Sequence, residues 1–203
     1  MRPTEILMHE HRVIEQVLDC LDAMAARCTQ EGRVDGEAAL QAIDFFRHFA
    51  DGCHHAKEEN QLFPMMEARG FDAHSGPTAV MRHEHVQGRS LIAAMEAAVP
   101  RASEGHGDAR SAWLTAARQY SGMLRAHIEK EDHCLFPMAD RGLLPADVDD
   151  LARQFEAVER DHIGPGVHER YLRLADTLAG RFGVRRAGGP ETGAGACGCS
   201  GHS

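Results

Sequence analysis

The stretch Cys53-His54-His55-Ala56-Lys57-Glu58-Glu59-Asn60-Gln61-Leu62-Phe63-Pro64 returns 73 positions later as Ala126-His127-Ile128-Glu129-Lys130-Glu131-Asp132-His133-Cys134-Leu135-Phe136-Pro137. Superposing the Leu-Phe-Pro triplets sets His54 over His127 and Glu58 over Glu131. Each copy is therefore His-x-x-x-Glu, a second acid, two residues and Leu-Phe-Pro. On a helix, residues four apart share a face, so each His/Glu pair points one way. The repeat extends upstream, where His9-Glu10-His11 recurs as His83-Glu84-His85. Downstream, Phe63-Pro64-Met65 and Gly70 have counterparts in Phe136-Pro137-Met138 and Gly142. A duplicated helical pair follows, each half carrying a lone His on its first helix and His-x-x-x-Glu on its second.

Apolar spacing agrees with that division. Leu7, His11, Ile14, Leu18, Leu21 and Ala25 step along one helical stripe, with His11 in a slot that expects an apolar residue. Glu31-Gly32-Arg33 ends this helix, and a second runs from about Gly36 to Arg69, with a kink expected at Pro64 and a cap at Gly70. Met81, His85, Gly88, Ile92, Met95 and Val99 repeat the first seam. Pro100 to Asp108 reads as a loop, after which Trp113, Ala117, Tyr120, Leu124, His127 and Glu131 form the fourth seam. A further helix is expected over about Ala146 to Phe182, interrupted near Gly164-Pro165-Gly166. The fold class is all-α: an up-down four-helix bundle with an additional C-terminal helix. Residues 1–183 form the domain, with its core at 4–141, and Gly-rich 184–203 is a flexible tail ending in Cys197-Gly198-Cys199 and His202.

Composition narrows the chemistry. A net charge of −9 argues against nucleic acid or anionic membrane as partner. No apolar run approaches membrane-spanning length, and the first residues carry no signal-peptide pattern, so a cytoplasmic location is expected. The six Cys lack the spacing of a disulfide framework. The 14 His are the excess, and they gather in the repeated stretches.

Four helices directing His11, His54 with Glu58, His85, and His127 with Glu131 inward place six candidate ligands in one core. Buried carboxylates require compensating charge, and few Lys or Arg share these seams. A pair of metal ions supplies it, with the carboxylates as bridges; imidazole plus carboxylate suits iron, manganese or zinc. A lone seam His is ordinarily a satisfied core residue, but six positions recurring in register on four helices are not. A single structural zinc takes four ligands, not six. A ferritin-type centre needs Glu-x-x-His on two helices, and here only Glu159-Arg160-Asp161-His162 fits.

These residues resemble those of the hemerythrin-like (HHE cation-binding) family, over about Thr4 to Arg141. The resemblance implies a bundle holding a non-haem di-iron centre that binds or reacts with dioxygen, peroxide or nitric oxide. It implies His11, His54, Glu58, His85, His127 and Glu131 as iron ligands, with Glu58 and Glu131 bridging. Iron storage, iron donation for cluster repair and di-iron peroxidase activity are the alternatives it carries.

Two departures stand out. Oxygen-carrying members have His-x-x-x-His on the third helix, whereas Arg89 follows His85 here. Their last helix has His-x-x-x-x-Asp, a spacing that His127 and Asp132 also satisfy, so Glu131 and Asp132 compete, with the repeat favouring Glu131. The missing His leaves a metal position open to water or ligand, or filled by His55, whose ring is expected about 100° round the helix from His54. An open position favours redox chemistry or sensing over stable oxygen carriage. Glu10 and Glu84 are candidate acceptors for ligand imidazoles. His9 and His83 are expected on a flank, His133 and His162 at the surface or behind the ligands, and Tyr120 in the core. Cys197 and Cys199, with His202, form either a soft-metal or redox handle or an inert tail.

Overall fold

The computed structural model describes residues 1–158, 160 and 166–188. The positions of Glu159, Asp161, His162, Gly164, Pro165, Cys197, Cys199 and His202, singled out above, lie outside the described residues.

Helix α1 spans Pro3–Glu31, with Pro3 in the first turn and the Glu5 carboxylate accepting from the Arg2 N–H at 2.7 Å. It ends on Gly32, whose left-handed φ of 76° lets its N–H reach back to the Cys28 carbonyl. The second rod starts as α2 (Gly36–Phe45), capped by the Asp35 side chain on Ala38 N–H. It then widens into two π-helical stretches, π1 (Phe46–His55) and π2 (Glu58–Leu62), and closes as α3 (Phe63–Ala68). The third rod is α4 (Pro77–Ser103). The fourth is α5 (Gly107–Lys130), π3 (Glu131–Leu135) and α6 (Phe136–Gly142) in one continuous run. Helices α7 (Pro145–Ala157) and α8 (Val167–Phe182) follow, so the expected extra C-terminal helix comprises two described segments.

Two local expectations change. Pro100 lies inside α4 instead of opening a loop. It stands within the last turn and costs the one bond its N–H would have made to the Glu96 carbonyl, while Ser103 Oγ donates to the Pro100 carbonyl at 2.7 Å. At Pro64 and Pro137 the disruption takes the form of a widened turn. Each proline removes one i→i−4 donor, and the preceding N–H, of Phe63 or Phe136, bonds instead five residues back to the carbonyl of Glu58 or Glu131. Both inward glutamates thus open a π-turn.

Two apolar clusters fill the bundle. The larger includes Leu18, Leu21, Phe45, Phe46, Phe49, Trp113 and Leu124, and α8 covers it with Tyr171, Ala175 and Leu178. The smaller holds Leu7, Leu62, Phe63, Met66, Leu135 and Phe136, and α7 covers it with Leu151 and Phe155. The His/Glu residues belong to neither cluster; their ring contacts with Phe63 and Phe136 tie them to the smaller one. Among the described residues no helix is long and apolar enough to cross a membrane.

The join between the two halves offers a stability test. A Cβ on Gly76 would meet the Asp72 carbonyl oxygen at 2.2 Å, an approach that requires the backbone to move. Gly76→Ala is expected to lower stability by about 1–3 kcal/mol in thermal or denaturant unfolding. Gly122, inside α5 with open space at its Cβ, is the counterpart. Gly122→Ala is expected to raise stability by up to about 1 kcal/mol through helix propensity alone.

Candidate metal centre

The four rods bring all six sequence-derived residues together, and the duplication explains how. Glu58 places Oε1 3.6 Å from His54 Nε2 and Oε2 3.4 Å from His85 Nε2. Glu131 places Oε1 3.2 Å from His127 Nε2 and Oε2 3.2 Å from His11 Nε2. Each carboxylate thus offers an oxygen to the His on its own rod and another to the lone His of the other half. The Phe that follows supports the same exchange: Phe136 stacks on His11 at 5.5 Å between ring centroids, and Phe63 on His85 at 6.0 Å.

Behind every imidazole stands a carboxylate. His11 Nδ1 donates to Asp132 at 2.7 Å and His85 Nδ1 to Glu59 at 2.7 Å. His54 Nδ1 donates to Glu10 and His127 Nδ1 to Glu84, both at 2.9 Å. The second acid of each repeat therefore orients the lone His of the opposite half, and the Glu before each lone His orients the His of the His-x-x-x-Glu in its own half. Lys57 pairs with Glu10, Lys130 with Glu84 and Arg12 with Asp132. This settles the geometry of Asp132: it faces His11 and Arg12, while Glu131 faces inward. Glu10 and Glu84 stand where the sequence placed them, and His9, His83 and His133 are exposed.

His55 joins the set. Its ring is buried, stacks on His85 at 3.9 Å between centroids, and has Nδ1 3.4 Å from Asp51. The α-helical spacing of about 100° between neighbours would turn it away from His54, but it lies in π1, whose wider turns bring consecutive side chains closer in azimuth. Arg89, at the position of the missing His, faces out instead, donating to Asp51 at 2.9 Å and Glu59 at 2.9 Å. His55 therefore stands where the sequence had left open a choice between an unfilled position and this imidazole. The repeat could not reveal it, because its counterpart is Ile128.

Two groups of donor atoms result, His55/Glu58/His85/His127 and His11/His54/Glu58/Glu131, each within 4.8 Å mutually and all buried. Among the described residues, His11, His54 and His55 Nε2 and all four oxygens of Glu58 and Glu131 are buried without a hydrogen-bond partner. Such atoms are costly in a protein interior unless something binds them. His85 and His127 point Nε2 atoms at each other 3.1 Å apart while both Nδ1 atoms face carboxylates. Two such lone pairs repel unless a proton or a cation stands between them. The donor set fits a cation pair held by five imidazoles and two shared carboxylates.

The electrostatics of metal-free protein follow from the same contacts. Burial lowers the His11 imidazole, but Asp132 and Glu131 overcome it and hold it at about 9. Burial opposes the charge on His127 too, and Glu131 and Glu84 raise it to about 10. Burial, with the nearby His11, pushes His54 down to about 3; burial, with His85, pushes His55 down to about 4. Burial and the facing Glu131 carboxylate raise Glu58 well above the usual range. A cation needs the Nε2 lone pairs, so at neutral pH it displaces one proton each from His11 and His127. Metal affinity is expected to rise with pH towards 9–10 and to fall as acid restores those protons. Calorimetric titration in buffers of different ionisation heat should return about two protons per loaded chain from these imidazoles.

A cavity of about 280 Å³ borders His55, His85 and His127 on one side of the centre. Phe46, Ile92, Tyr120 and Met123 line it, with Arg47 and Arg89 among its residues. Tyr120 is buried against Phe46 at 4.8 Å between centroids, and burial pushes its phenol well up. It serves both as core and as cavity wall.

Comparison with known proteins agrees with this geometry. Uncharacterised proteins from Mycobacterium bovis and from two strains of Mycobacterium tuberculosis are each 27% identical to the chain over 160 residues, 79% of its length. The chain spans 62% of the length of these relatives. No solved structure matches it. Residues 2–139 match the hemerythrin HHE cation binding domain, two-thirds of the chain and all of the candidate ligands. With the cage of five imidazoles and two shared carboxylates, that match means that this chain belongs to the hemerythrin HHE cation-binding family.

Proposed function

We propose that the chain holds two iron ions between Glu58 and Glu131, and binds or reacts with dioxygen, peroxide or nitric oxide in a redox or gas-responsive role. The observation that carries this reading is the set of buried, unpartnered donor atoms in which each carboxylate turns one oxygen to each group of imidazoles. Iron in such a nitrogen and oxygen environment supplies one-electron chemistry and positions for small oxygen and nitrogen ligands.

The chain's own residues support that chemistry in three ways. Glu58 and Glu131 supply negative charge to the interior, limiting the net charge that two divalent ions would leave there. The five carboxylates behind the imidazoles fix the tautomer, leaving every Nε2 lone pair directed inward. The cavity beside His55, His85 and His127 gives a small neutral molecule an apolar approach, and the Arg89 pairs with Asp51 and Glu59 brace that side.

Elemental analysis of natively purified protein, with optical spectra of the anaerobic reduced form before and after air, tests the reading. Two irons per chain and an absorption change on air or nitric oxide are expected. One zinc with no iron, or a spectrum indifferent to all three ligands, would overturn it.

A further inference from the structure

A second cluster of ligand-type side chains lies behind His54, outside the cage. Cys53 in π1, Glu10 in α1 and His168 in α8 each present a ligand atom within 4.8 Å of the other two. Cys53 and Glu10 are buried and His168 is half-buried. The ring of His168 lies over Phe49 at 5.2 Å between centroids, and its Nδ1 is buried with no hydrogen-bond partner among the described residues. A packing role for His168 accounts for the contact with Phe49 but leaves that nitrogen costly. A cavity of about 270 Å³ bordered by Glu10, Phe49 and His168 gives the cluster an approach from outside.

We propose that Cys53, Glu10 and His168 form a separate mononuclear site for a zinc-class divalent cation. The donor types select the ion. A thiolate, an imidazole and a carboxylate suit zinc or cobalt, whereas magnesium and calcium take oxygen. Three protein donors leave the fourth position of a tetrahedral ion to water from the cavity. Loading displaces the Cys53 thiol proton to solvent, with no change of oxidation state. Glu10 already accepts from His54 Nδ1 and from Lys57 Nζ, one on each oxygen. A carboxylate has lone pairs for about four partners, so an ion can share it without displacing either. Glu10 then links the two sites, since it also orients His54. The site joins the family domain, matched over residues 2–139, to α8, which lies beyond it.

Cobalt(II) titration of the full-length chain tests the proposal, in a C134S/C197S/C199S background that removes the exposed and C-terminal thiols. Cobalt bound to imidazole and carboxylate alone lacks the strong near-ultraviolet thiolate-to-metal absorption, so occupancy of the cage does not mimic the result. Cobalt added until the spectrum saturates is expected to produce that absorption at the intensity of one thiolate-bound ion per chain, and zinc to abolish it by exchange. Cys53→Ser should remove the band, and His168→Ala should weaken cobalt binding at this site by more than about 100-fold. His168 is the safer substitution for the fold, because it is half-buried; circular dichroism confirms that the variant is folded. Absence of the band in the parent, its persistence in Cys53→Ser, or unchanged affinity in folded His168→Ala would each overturn the proposal. None of these outcomes depends on iron in the cage.

Discussion

Replacing Glu58 with glutamine is expected to take the metal content from two ions per chain to near none, while making the metal-free protein more stable. The first effect follows from geometry: Oε1 and Oε2 of Glu58 face different imidazoles, so one substitution removes a donor from both groups. The second follows from its charge. Burial and Glu131 raise its folded pKa well above 4.5, so the unfolded chain ionises at a pH where the folded one cannot. Metal-free wild type therefore loses stability as pH rises from about 4.5 towards the folded pKa, and glutamine, which has no proton to lose, does not. A gain of about 1–4 kcal/mol at neutral pH is the scale for relieving such a buried group.

Glu131→Gln separates the two effects. It should empty the cage in the same way, but it should destabilise metal-free protein. Burial alone would raise this carboxyl, yet His127 and His11 hold it well below the usual range, and its loss strands their charge. Exposed Glu129, on another face, is the control, and Glu129→Ala should leave metal and stability unchanged. Elemental analysis and urea unfolding of metal-free and loaded proteins read all three. Equal behaviour of the three variants would mean that the inward face has been misassigned.

The second large effect is expected at His55. Replacing it with alanine should halve the metal content, because its group then keeps only the imidazoles of His85 and His127, while His11, His54, Glu58 and Glu131 stay intact. Arg89→Ala should keep both ions, since Arg89 binds Asp51 and Glu59 at the rim. It should instead quicken the reaction of the reduced protein with peroxide or nitric oxide by loosening that rim. The reverse pattern, with two ions retained in His55→Ala and one lost in Arg89→Ala, would return the metal shell to the third helix and remove His55 from it.

The bundle and its inward His/Glu pairs were legible because they depend on spacing alone. A residue four positions from another shares its face in any α-helix, and duplication of His54/Glu58 as His127/Glu131 repeats that geometry in an independent copy. The lone seam residues His11 and His85 were legible for the same reason. What the repeat could not encode is what differs between its halves. His55 entered the cage because the backbone of π1 slips to wider turns, which changes the azimuth of every residue there. Asp132 yielded to Glu131 because His11 and Arg12, from a helix about 120 residues away in sequence, claim its oxygens. Glu59 and Asp132 are in sequence only the second acid of each repeat, and packing of opposite halves makes them supports for His85 and His11. His168 reaches Cys53 and Glu10 only because α8 folds back over α1 and π1. Spacing along a chain determines which side chains share a face; which faces meet, and how far each turn is wound, is decided by contacts between residues far apart in sequence.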